Sequence, residues 1–83
     1  MANIISAEAT DGYMVFVKFE DGKSGFFDMH ETVTNGINLM GQLRDTQLFS
    51  KVFVDKDLGT IAWPNGVDVC PDLIKKNLIS PPE

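Results

Sequence analysis

Asp21-Gly22 stands between two β-prone runs, and that arrangement leaves the N-terminal part of the chain few options besides a hairpin. The run before it, Tyr13 to Glu20, alternates: Tyr13, Val15, Val17 and Phe19 share one face of an extended strand, Met14, Phe16 and Lys18 the other. Both faces are partly apolar, so the strand is predicted to be central and covered on two sides. Asp21-Gly22 supplies the φ > 0 residues of a tight two-residue turn, and Lys23 to Asp28 forms the return strand. Upstream, Ile4 to Ala9 is a further strand joined through the turn at Asp11-Gly12.

The alternation stops at His30. Asn35-Gly36 and Gly41 punctuate a crossover to Phe49 in which short helical turns are expected, with Leu39, Leu43, Leu48 and Phe49 pinning it to the sheet. Lys51 to Asp55 and Thr60 to Trp63 read as a second hairpin; Pro64, Asn65 and Gly66 then reverse the chain toward a short strand through Val67 and Val69. Pro71 and Asp72 suit the first turn of a helix reaching about Ile79, with Leu73, Ile74 and Leu78 inward and Lys75 and Lys76 toward solvent. The fold class is therefore α+β: a small twisted antiparallel sheet of hairpins, a short helical crossover and a C-terminal helix.

Residues 1–83 suffice for a single domain with one core, and the 43% apolar content is that of an ordered chain. Only Met1 to Asn3 and Ser80 to Glu83 are expected to fray. A net charge of −5 opposes direct contact with nucleic acid and favours a basic partner. The lone cysteine, Cys70, excludes an internal disulfide, and neither a secretory leader nor an apolar stretch of the about 20 residues a membrane helix needs is seen, so a cytoplasmic protein is expected.

The search for catalytic patterns finds fragments only. His30-Glu31 opens like a helical zinc motif, but Thr34 stands where the second histidine belongs, and His30 reads as an exposed strand-end residue. Gly22-Lys23-Ser24 copies the end of a phosphate-binding loop inside a hairpin turn, the wrong context. Asp55, Asp57 and Gly59 suggest a calcium loop whose later positions, Thr60 and Gly66, lack the required residues. Cys70 reads as a small buried side chain between Val69 and Pro71. No catalytic residue, metal site or cofactor is assigned. Trp63, Pro64 and Asn65 combine an aromatic, a rigid turn and an amide, types that favour interfaces, although Trp63 also suits a core position.

The hairpin Phe19 to Gly25, Asp28, the run Leu43 to Phe49, and Val54 to Asp68 followed by Pro71-Asp72-Leu73 resemble, in order and spacing, the domain-of-unknown-function family 2442. The resemblance implies a compact α+β fold in small bacterial and phage-borne proteins. Members stand alone, beside a second small gene in toxin–antitoxin-like pairs, or fused to a helix-turn-helix domain. It supplies no activity. Cys70 departs from the pattern, where an aspartate would cap the helix.

The expected function is a non-enzymatic protein-binding or regulatory module, antitoxin-like, with Arg44, Asp57, Trp63, Pro64, Asn65 and Asp68 as partner-binding residues and another small, basic protein as partner. Pairing of exposed strand edges would give a homodimer. One alternative is an accessory or dimerisation domain of a transcriptional regulator. Another is an enzyme or ligand sensor in which Asp28, Arg44, Asp57 and Asp68 converge on one groove.

Overall fold

The computed structural model describes residues 3–80; the fraying expected at residues 1–2 and 81–83 lies outside them. Strands β1 (Ile4–Thr10), β2 (Met14–Phe19) and β3 (Ser24–Asp28) form an antiparallel meander with β2 in the centre. The register aligns Ala7, Val17 and Gly25, then Ala9, Val15 and Phe27, on the face that meets the core. An irregularity between Ile4 and Ser6 takes up one residue of β1. Val15, Val17 and Phe19 are buried as their alternation requires. Contrary to the two-sided cover expected, the described residues leave the opposite face open: Met14 and Phe16 are half-buried and Lys18 is exposed. Phe16 instead shelters against Phe26 across the strands, ring centroids 5.0 Å apart. Tyr13 leaves the strand for the Gly12 turn, with φ 59°, and its ring meets Phe49 edge-on at 5.3 Å.

The Asp21-Gly22 hairpin forms, but its loop holds three residues. Phe19 N–H donates to Lys23 O (2.8 Å) and Gly22 N–H to Phe19 O (3.0 Å), with φ 94° at Gly22 and no positive φ at Asp21. The Asp21 carboxylate accepts from Lys23 N–H at 3.0 Å and completes the turn. The same construction recurs around Asn65. Trp63 N–H donates to Val67 O (2.9 Å), Gly66 N–H to Trp63 O (3.0 Å), Gly66 has φ 96°, and Asn65 Oδ1 accepts from Val67 N–H (3.2 Å).

The crossover contains α1 (His30–Thr34), α2 (Asn38–Gln42) and α3 (Thr46–Phe49). Its buried anchors are Val33, Leu43 and Phe49, with Leu48 partly buried. Leu39 is not an anchor: it is 48% exposed, because α2 turns Met40 and Gly41 toward the interior. His30 is exposed as expected, yet it starts α1 rather than ending a strand.

Strands β4 (Phe53–Asp55) and β5 (Thr60–Ala62) make a second, separate sheet. Residues 67–69 follow its outer edge through a single bridge at Ala62 and Asp68, with Val69 N–H donating to Ile61 O. Trp63, Ile61 and Phe49 join Val15, Val17 and Phe19 in one core beneath both sheets.

Helix α4 (Pro71–Lys76) is shorter than expected. Asn77 Nδ2 caps the Leu73 carbonyl at 2.8 Å, and Ile79 leaves the helix to exchange two 2.8 Å backbone bonds with Phe26 on the free edge of β3. Of the expected apolar stripe only Ile74 is fully buried; Leu78 is half-buried and Leu73 is 49% exposed. Lys75 does not face open solvent: its ammonium pairs with Asp21 and sits 5.4 Å from the centroid of the Phe19 ring. Cys70 precedes the helix and is exposed, contrary to the buried position expected, because Val69 and Ile74 fill the adjoining core.

Candidate functional site

The residues that the sequence singles out serve mainly to fasten the crossover. Trp63 is 1% exposed; its indole N–H donates to Phe49 O at 2.9 Å and its ring packs 5.5 Å from that of Phe49. It belongs to the core, and the neighbouring turn is what reaches the surface. Pro64 is exposed there, and half-buried Asn65 donates from Nδ2 to Leu39 O and to Gln42 Oε1, both at 3.1 Å. Arg44 reaches the other end of the same segment. Its Nη1 lies within hydrogen-bonding reach of three carbonyls and shares its two protons among Val33 O (3.2 Å), Thr34 O (3.3 Å) and Gly36 O (2.8 Å), which fastens the end of α1 to the residues that follow it. Tyr13 Oη donates to the Arg44 carbonyl at 2.6 Å, and Asp45 caps α3 through Gln47 N–H at 2.9 Å.

Residues 36–42 are thus held from both sides, by Arg44 and by Asn65. What they present is apolar. Ile37 is 76% exposed and Leu39 follows it, separated by Asn38 at φ 56°, a left-handed position that asparagine tolerates. Ile37 and Leu39 are exposed on this braced loop, and Pro64 is exposed in the turn whose Asn65 holds it. Leu39, expected to face inward, and Ile37, which no sequence motif marks, both lie at the surface. The available signal was an isoleucine between Gly36 and Asn38 with no apolar partner at strand or helix spacing.

The remaining candidates each make separate contacts. Asp28 accepts from His30 N–H (2.9 Å) at the entry to α1. Asp57 lies in the β4–β5 turn, where the Asp55 carboxylate accepts from Asp57 N–H (3.0 Å) and Leu58 N–H (3.2 Å) and so is engaged in shaping the turn. Asp68 is exposed opposite Ala62. Among the described residues no hydrogen bond or ion pair joins any two of Asp28, Arg44, Asp57 and Asp68, and no three His, Cys, Asp or Glu side chains are grouped as a metal site would need. The resolved electrostatic perturbation is at Asp21, whose carboxyl is held below the usual range first by the hydrogen bond from Lys75 and then by that from Lys23 N–H. A groove of about 240 Å³ runs between the β1–β2 turn and α3, lined by Thr10, Tyr13, Thr46 and Phe49 among others, and it contains none of the candidates. No described helix is long and apolar enough to cross a membrane.

The model of the family described as "Protein of unknown function (DUF2442)" matches residues 4–80, nearly the whole chain, and the chain belongs to that family. No curated protein and no solved structure matches it.

Proposed function

We propose that this member of the DUF2442 family is a non-enzymatic protein-binding module whose contact face is the Ile37–Leu39 loop with the Pro64–Asn65 turn beside it. The observation that carries the reading is the exposed Ile37 and Leu39 on a segment fastened from both sides. Leaving two large apolar side chains in water is unfavourable, and a pre-ordered loop loses little conformational freedom when a partner covers it. The partner is a second small protein of net positive charge, since the −5 charge of this chain would speed its approach. A regulatory or antitoxin-like role, in the bacterial cytoplasm, fits such a pairing.

Affinity capture from the native host, with Ile37→Asp as the comparison, tests the proposal. The expected result is one specific basic protein bound by the wild type and lost by the variant, with the circular dichroism of the two unchanged. Retention of the same partner by Ile37→Asp, or capture of none by the wild type, contradicts it.

A further inference from the structure

The chain holds two Asn-Gly pairs, Asn35-Gly36 and Asn65-Gly66, and the fold fastens the asparagine side chain of the second but not of the first. An asparagine followed by glycine is prone to spontaneous loss of its side-chain amide, because the next backbone nitrogen carries no neighbouring side chain that would obstruct its approach. We propose that Asn35 is a site of deamidation and isoaspartate formation in the folded protein and that Asn65 is protected from it.

In the reaction the Gly36 backbone nitrogen bonds to Cγ of Asn35 and the Cγ–Nδ2 bond breaks. The Gly36 amide proton, carried through solvent, ends on the departing ammonia. Water then opens the resulting five-membered imide at one of its two carbonyls, leaving an aspartate or an isoaspartate link. Only water is consumed.

Asn35 is exposed at the C-terminal end of α1, with φ −95° and ψ 0°, and its side chain makes no hydrogen bond to another described residue. The backbone is held by Asn35 N–H to Glu31 O (3.0 Å) and Gly36 N–H to Val33 O (3.2 Å), so the difference from the second pair lies in the side chain. At the second pair the side chain is fixed by three bonds, Nδ2 to Leu39 O and Gln42 Oε1 and Oδ1 from Val67 N–H, while Gly66 N–H holds Trp63 O at 3.0 Å. Asn65 can swing Cγ toward the Gly66 nitrogen only after the turn has opened.

The consequence falls on the crossover. An isoaspartate link adds a main-chain carbon immediately before Gly36, whose carbonyl Arg44 holds at 2.8 Å, and places a negative charge at the C-terminal end of α1. Ile37 follows directly, so the change would alter the proposed contact face; that consequence rests on the binding reading, whereas the deamidation itself does not.

The test is incubation of the whole protein at mildly alkaline pH, folded and in urea, followed by peptide mapping with mass spectrometry. In the folded protein the amide-to-acid mass increase is expected in the peptide carrying Asn35, at least about tenfold faster than in that carrying Asn65, the ratio that the cost of opening the Asn65 bonds implies. In urea the two rates are expected to agree within about threefold, since no folded structure separates them. Asn35→Gln should abolish the fast increase. Isomerisation at Asp11-Gly12 and Asp21-Gly22 leaves mass unchanged and does not interfere. Equal folded rates, a faster Asn65, or an inert Asn35 in the folded state would overturn the proposal.

Discussion

Replacing Asn65 by alanine separates a structural clamp from a contact residue. The change deletes two donated bonds to α2 and the acceptor for Val67 N–H. Water replaces the partners of Leu39 O and Gln42 Oε1 at the surface, while the part-buried Val67 N–H is left poorly satisfied. The sum is about 2 kcal/mol of lost stability, most of it from Val67. With a urea dependence near 1 kcal/mol per molar for a domain this small, the unfolding midpoint should fall by about 2 M. The thermal midpoint should fall by about 10 °C. Trp63, the chain's single tryptophan, is buried beside the mutated turn and reports unfolding by fluorescence. A midpoint within about 0.5 M of wild type would refute the assignment of Asn65 as a clamp.

Three further outcomes follow from particular contacts. A Cβ at Gly25 would lie 2.7 Å from the Ile79 carbonyl oxygen, so Gly25→Ala should cost about 1–3 kcal/mol and speed amide exchange at Ile79; unchanged exchange there would contradict the packing. Trp63→Phe removes the indole donor to Phe49 O and part of a core side chain, and should destabilise by about 2–3 kcal/mol in calorimetry; a loss below about 1 would mean that the indole bond matters little. Asp21 has a lowered folded-state pKa, so its stabilisation is present above the unfolded value and is lost as pH falls through the lowered one. Asp21→Asn should therefore be less stable than wild type at neutral pH, with urea midpoints converging on the acid side; a gap that ignores pH would exclude the Lys75 pairing as its cause.

Much of the fold was legible because local chemistry and tertiary need agree along the first three strands: Val15, Val17 and Phe19 alternate inward, and Gly22 turns the chain. The loop length is not legible because Asp-Gly serves two-residue and three-residue hairpins alike, and the bond from Lys23 N–H to the Asp21 carboxylate accompanies the longer one. The end of α4 is not legible because helix propensity competes there with the unpaired edge of β3, a competition that appears only when Ile79 meets Phe26. The same applies to the candidate site. Arg44 and Asn65 stood out, but their partners are backbone carbonyls at Val33, Thr34, Gly36 and Leu39, groups that every residue possesses and no side-chain pattern marks. The motif residues that carry the family resemblance are, at Gly22, Arg44, Asp45, Trp63, Asn65 and Gly66, residues that close turns, cap helices or brace the crossover.

Arg44 and Asn65 hold the loop, and the proposed contact is made by Ile37, Leu39 and Pro64. The most direct measurement is a titration of isotope-labelled protein with the captured partner, following backbone amide shifts residue by residue. The shifts are expected to cluster in residues 36–42 and 65–66. A cluster on the uncovered face of the first sheet, around Phe16 and Phe26, with the crossover unmoved, would contradict it.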